Sequence, residues 1–138
     1  MRGQVMANGS LRGLAAAVLA ASAFTGGAAL GHEARPAHSW RIEVSEGANS
    51  DGTIRFVVTP VGGEITTVAI PIKKGRAEND VAKDLRDGFI HALPTGGYEV
   101  EVDDGEDVLV KTKDPAPKFS VIMIDSTVKG TRVNVEHD

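Results

Sequence analysis

The chain has 138 residues, a quarter of them charged, with 15 basic residues, 19 acidic residues and no cysteine. Its net charge of −4 argues against nucleic acid and anionic lipid as partners, because both are bound by clustered Lys and Arg. Without cysteine there are no disulfides, so stability has to come from a hydrophobic core.

The first 31 residues have the three parts of a secretory signal. Arg2 and Arg12 supply the basic start, Gly13 to Phe24 form an apolar run, small residues follow, and no acidic residue occurs in the segment. The 12 apolar residues fall short of the roughly 20 that a spanning helix needs. We therefore expect residues 1–31 to be a signal peptide that is removed. The mature protein would then be exported, periplasmic or extracellular, and not inserted in a membrane.

Three cleavage positions fit small residues at the end of the leader: after Ala23, after Ala29 and after Gly31. The last of these leaves 107 residues that begin at His32 and carry a net charge of −6. A chain of that length can build one hydrophobic core but not two. We predict a flexible segment over 32–38, followed by a single domain over 39–138.

Three segments before residue 73 alternate apolar and polar residues, the pattern of strands with one buried face. They are SWRIEVS (39–45), TIRFVVTP (53–60) and EITTVAIPI (64–72). The Asp51-Gly52 pair predicts a tight hairpin between the first two. Pro71 donates no hydrogen bond, which predicts that the third strand lies at a sheet edge or ends at this residue.

The period changes in ENDVAKDLRDGFIHAL (78–93), where apolar residues recur every four positions. The stripe consists of Val81, Leu85, Phe89 and Leu93, widened by Ala82, Ile90 and Ala92. This spacing predicts a helix of about 14 residues, capped by Asn79 or Asp80 and ended by Pro94. Gly88 costs about 1 kcal/mol relative to Ala inside a helix, which indicates a close contact there.

Four strand patterns follow the helix: YEVEVD (98–103), DVLVKTK (107–113), KFSVIMID (118–125) and TRVNVEH (131–137). Asp104-Gly105 predicts a hairpin between the first two of them. The segment 121–124 is apolar on both faces, which favours a central strand. The first strand, the Pro71 strand and the last strand are the candidate edges.

The element order βββαββββ predicts an α+β fold. We expect two layers: an antiparallel or mixed β-sheet of about seven short strands, with one amphipathic helix packed across it.

Two sets of residues could bind metal. A free amine and an imidazole on His32, with His38 nearby, are donors suited to copper. Asp103, Asp104, Glu106 and Asp107 place four carboxylates around one turn, as calcium loops do, although their spacing is not that of an EF-hand and acidic turns are also simply well hydrated.

No catalytic arrangement is visible, since the helical His91 has no partner Ser or Cys in a nucleophile–base pattern. We therefore predict a small exported, non-catalytic binding or assembly module without a cofactor. It would act through sheet edges or a surface patch, on a protein partner or on another copy of itself. The alternative is an exported copper-binding protein that uses the N-terminal histidine.

Overall fold

The structure is a computed structural model that describes residues 35–138. The predicted signal peptide, its cleavage positions and His32 lie outside the described residues.

Residues 35–138 form seven strands and one helix, which follow one another in the predicted order. They are β1 (Ser39–Ser45), β2 (Gly52–Pro60), β3 (Thr66–Ile72), α1 (Glu78–Ala92), β4 (Tyr98–Asp103), β5 (Asp107–Thr112), β6 (Phe119–Ser126) and β7 (Arg132–His137).

The strands form two antiparallel sheets. One has four strands in the order β4-β5-β1-β7, and the other has three in the order β3-β2-β6. For the part of the chain that the structure describes, the predicted α+β class, seven strands and one packed helix are confirmed, and both sheets are antiparallel.

The hydrophobic core lies between the inward faces of the two sheets. Alternation along the strands directs every second side chain inward, and these side chains form one cluster. Its largest fully buried members are Trp40, Phe56, Phe89, Phe119, Ile42, Ile54, Ile70, Ile72 and Leu85.

Helix α1 packs across the four-stranded sheet, where it contacts β4, β5 and β1, and it also contacts β3 of the other sheet. The predicted stripe is buried through Val81, Leu85 and Phe89, and the ring of Phe89 lies 5.0 Å from that of Phe56. Ile90, which was expected to widen the stripe, is instead exposed. The helix therefore buries a narrower face than its sequence suggested.

The predicted helix cap is wrong. The N-cap is Ala77, whose carbonyl accepts hydrogen bonds from the amides of Asp80 and Val81, and no side chain caps this end. Because the helix begins earlier than expected, Asn79 and Asp80 lie inside its first turn. There Asp80 and Glu78 are placed where carboxylates interact favourably with the helix dipole.

The segment before β1 joins the two sheets. Ala37 pairs with Phe119 through two backbone hydrogen bonds of 2.8 and 2.9 Å. The indole Nε1 of Trp40 donates to the same Phe119 carbonyl at 2.8 Å. The prediction of an unstructured segment over 32–38 is therefore wrong for Ala37, which links the first strand to the other sheet.

Three predictions of strand position are also wrong. β1 is not an edge strand, since it pairs with both β5 and β7. The Asp51-Gly52 pair does not close a hairpin, because β1 and β2 belong to different sheets. β6 pairs only with β2 within its sheet and so occupies an edge rather than the centre. Each error concerns which strand lies next to which, a question that local periodicity does not address.

The other predictions of turns and edges are confirmed. β3, with Pro71, and β7 are edge strands. β4 and β5 form a hairpin through the three residues between Asp103 and Asp107, and the predicted turn residues Asp104 and Gly105 have positive φ angles of 54° and 83°.

Candidate interaction surfaces

The outer face of the four-stranded sheet is strongly acidic. The strand pairing places a set of side chains from all four strands on the same side of the sheet as Arg41, and this side points away from the core. They include the carboxylates Glu43, Glu99, Glu101, Asp103, Asp107 and Glu136 and the cations Arg41, Lys111 and Arg132. We call this surface the acidic face.

Arg41 is the centre of an ion-pair network on the acidic face. Its guanidinium donates to Asp107 at 2.7 Å, to Asp103 at 3.2 Å and to Asp138 at 3.0–3.1 Å. These hydrogen bonds, the one to Asp107 above all, raise the pKa of Arg41 further above its ordinary value. The network ties β1 to its neighbour β5, to β4 beyond it and to the residue after β7.

Two of the four predicted calcium ligands belong to this network. Asp103 and Asp107 are directed at Arg41, whereas Asp104 is exposed at the turn and Glu106 is half-buried. Within residues 35–138, no group of three or more His, Asp or Glu side chains is arranged to hold a metal ion. A calcium ion at this turn would have to displace a guanidinium that already balances the two carboxylates.

We expect Arg41→Gln to lower the melting temperature, because three carboxylates would be left together without their cation. We also expect calcium chloride to raise the melting temperature of this variant more than that of the wild type, since calcium would replace the lost charge. Thermal unfolding with and without calcium measures both effects. Asn134→Gln, a change on the same face outside the Arg41 network, is the control. Strong stabilisation of the wild type by calcium would instead favour the predicted calcium site.

Of the two histidines of the predicted copper site, the described residues include His38. His32 lies outside the described residues. His38 is exposed, and its Nδ1 is 2.9 Å from Oγ1 of Thr112. His137, at the other end of the chain, donates from Nε2 to the carbonyl of Arg35 at 2.8 Å and packs edge-on against Trp40.

The outer face of the three-stranded sheet has a different character. Its central row is Thr67, Val57 and Ile122, which are paired across β3, β2 and β6. The row beside it contains Ala69, Arg55 and Asp125. We call this surface the neutral face, because the only two ionisable side chains that point outward from its strands are Arg55 and Asp125.

These two residues form a bidentate ion pair, with Nε of Arg55 donating to Oδ1 of Asp125 at 3.0 Å and the second nitrogen donating to Oδ2. The hydrogen bond from Arg55 lowers the pKa of Asp125, and the same bond raises the pKa of Arg55. Both groups are therefore charged at neutral pH, and their charges cancel within the face.

Exposed apolar side chains adjoin the neutral face. Val61 and Ile65 lie in the turn between β2 and β3 and are 55% and 65% exposed. The register between β2 and β6 shifts at Ile124, because Arg55 pairs with Asp125 whereas the next residue, Phe56, pairs with Met123. Ile124 therefore has no partner in β2, and its side chain is 47% exposed. Together with Ile90 on the helix, these are the large hydrophobic residues that the described chain leaves exposed.

A groove of about 560 Å³ runs between the β3 side of the neutral face and helix α1. Thr67, Ala69 and Pro71 line it from the strand, and His91 and Gly88 line it from the helix. A smaller pocket of about 290 Å³ lies at the end of the helix, between Ile90 and Tyr98. Burial raises the pKa of that tyrosine, so its hydroxyl stays neutral at physiological pH.

No protein-family model matches this sequence, and no curated protein resembles it closely enough to count as a relative. Along residues 35–138, no helix combines the length and apolar character required to cross a membrane.

Proposed function

We propose that this chain is a small exported binding or assembly module without catalytic activity, and that it recognises protein through the neutral face. The observation that carries the proposal is the uncovered apolar surface at and beside that face, above all Ile65 and Val61. Exposed apolar surface that is contiguous, rather than scattered, is typical of protein interaction sites.

The contrast between the two outer faces supports this choice. The acidic face carries unbalanced carboxylates that remain well hydrated, and water competes there with any partner. The neutral face has β-branched and apolar side chains around Val57, with one self-balanced ion pair at its side. Covering it removes apolar area from water without leaving a charge unpaired, which is the favourable case for association.

The charged side chains of the described domain also support a binding role rather than catalysis. Arg41, Arg55 and Arg76 are each held by carboxylates from neighbouring elements, with Arg76 bonded to Asp84 at 2.8 Å. Such pairs hold strands and helix in place, and they leave the outward apolar residues as the chemically distinctive surface.

Photo-crosslinking tests the proposal. Because the chain has no cysteine, Ile65→Cys gives a single thiol that can carry a benzophenone maleimide next to the neutral face. The labelled protein is added to the exported proteins of the cells that produce it and is then irradiated. We expect a covalent product that joins the labelled chain to another protein molecule. Glu136→Cys places the same label on the acidic face and should give much less.

Equal labelling from both positions, or no product from either, would contradict a binding role for the neutral face. The product from Ile65→Cys is identified by mass spectrometry, which separates a product with another copy from one with a different protein.

A further inference from the structure

The chain has a net negative charge, and that charge is unevenly distributed over the surface. The acidic face carries six carboxylates against three cations on its strands, whereas the outward charges of the neutral face cancel. Two copies of an acidic protein repel one another most where their carboxylates meet. They can approach at least cost with their neutral faces together and their acidic faces turned outward.

We propose that the neutral face binds the neutral face of a second copy, so that the protein assembles as a two-fold symmetric dimer. This inference rests on the proposed binding role of the face and names its partner. A two-fold interface uses the same patch on both subunits, so the patch has to be complementary to itself. An apolar, β-branched row beside an internally balanced ion pair meets that condition, since the strands of this face present no uncompensated charge.

The centre of the proposed interface is the row Thr67–Val57–Ile122. Val57 and Ile122 are only half-buried in the single chain, and Thr67 is exposed. Packed sheets lie about 10 Å apart with their side chains interdigitated, a geometry that suits small β-branched residues. Ile65 and Val61, at the end of the hairpin, would extend the contact beyond the strands.

The edges of this sheet are less suited to pairing with a second copy. β3 contains Pro71, which donates no hydrogen bond, and helix α1 packs along the same strand. At β6, Phe119 is already bonded to Ala37, and the irregularity at Ile124 interrupts a regular ladder further along. The face rather than an edge is therefore the surface through which the copies meet.

A matched pair of substitutions tests the dimer. Thr67→Glu and Asn134→Glu each add one carboxylate at an exposed strand position, the first on the neutral face and the second on the acidic face. In sedimentation experiments over a range of protein concentrations, we expect the wild type to form dimers. The dimer dissociation constant should rise by at least about tenfold in Thr67→Glu, because two unpaired charges would be buried at the interface. It should change far less in Asn134→Glu.

Salt provides a second measurement. Since the proposed interface has no net charge and the rest of the protein is acidic, added sodium chloride should leave the dimer unchanged or strengthen it by screening the repulsion. Dimers that dissociate at higher salt would indicate contact between oppositely charged surfaces and would overturn the inference. Circular dichroism establishes that each variant is folded.

A purified protein that stays monomeric at all concentrations overturns the dimer, as does a dimer that Thr67→Glu leaves intact. These results are distinguishable from failure of the proposed function. If the protein is monomeric but the label at Ile65→Cys reacts with a different exported protein, the dimer is wrong and the binding role of the neutral face stands. If the protein is monomeric and the label reacts with nothing, both proposals are wrong.

Discussion

Replacing Trp40 with alanine is expected to lower the free energy of unfolding by about 3–5 kcal/mol, the usual cost of removing a large buried aromatic side chain. Trp40 is 1% exposed, and it packs where the four-stranded sheet meets the start of β6. Its ring lies edge-on to His137 at 4.4 Å, and its Nε1 donates to the carbonyl of Phe119. The substitution therefore leaves a cavity and removes a bond between the two sheets.

Trp40→Phe separates these two effects. Phenylalanine retains most of the buried ring but not the indole hydrogen bond, so we expect a loss of roughly 1–2 kcal/mol. The carbonyl of Phe119 would still accept the amide of Ala37. Urea unfolding followed by far-ultraviolet circular dichroism is the suitable measurement, because Trp40 is the only tryptophan and both variants lose its fluorescence. Equal losses in the two variants would show that the hydrogen bond, rather than the ring, holds this junction.

Gly88→Ala is expected to destabilise the protein, although alanine is normally the better residue inside a helix by about 1 kcal/mol. A Cβ at this position would lie 3.1 Å from Cδ1 of Ile70 and nearer still to its Cγ1. Ile70 is 2% exposed and belongs to the core. Because the core around it leaves little room to move, we expect a net loss of roughly 1–3 kcal/mol from overpacking.

A double-mutant cycle identifies the cause. Ile70→Ala alone should cost about 2–5 kcal/mol, but it also removes the atoms that the new methyl group would meet. The loss in the double variant Gly88→Ala/Ile70→Ala should therefore be smaller than the sum of the single losses by about 1 kcal/mol or more. Additive losses would show that Gly88 is required for a reason other than its contact with β3. Asp87→Ala, at an exposed neighbouring position, controls for helix propensity.

Much of the local structure could be predicted from the sequence. Apolar alternation located all seven strands, and the four-residue spacing located the helix and most of its buried face. Gly88 was correctly expected to mark a close approach. The arrangement of strands could not be predicted in the same way, because pairing depends on residues far apart in the chain. A strand apolar on both sides, such as β6, looks central from its sequence, although it lies at a sheet edge with Ile124 exposed.

The candidate surface was predicted only in outline, as a patch or an edge. The signals for it were present: Val57 falls in the outward phase of β2, and Ile122 and Ile124 fall outside a simple alternation. The pairing of β2 with β6 is what places Val57 beside Ile122 and brings the charges of Arg55 and Asp125 together, and this pairing cannot be read from either segment alone. At the acidic turn, the sequence suggested a site that the fold already fills. The cation beside Asp103 and Asp107 is an arginine from β1, about sixty residues earlier in the chain.

The position of β1 has a consequence for how the chain folds. Within residues 35–138, β1 comes before every other strand, but it lies between β5 and β7, and both of these emerge only after the helix. Sheets built from such distant pairings form slowly, because long loops must close before the contacts compensate for the lost entropy. The four-stranded sheet therefore cannot be completed until β7 is available. Until then, the backbone groups along one side of β1 lack the β7 partners that they have in the folded sheet.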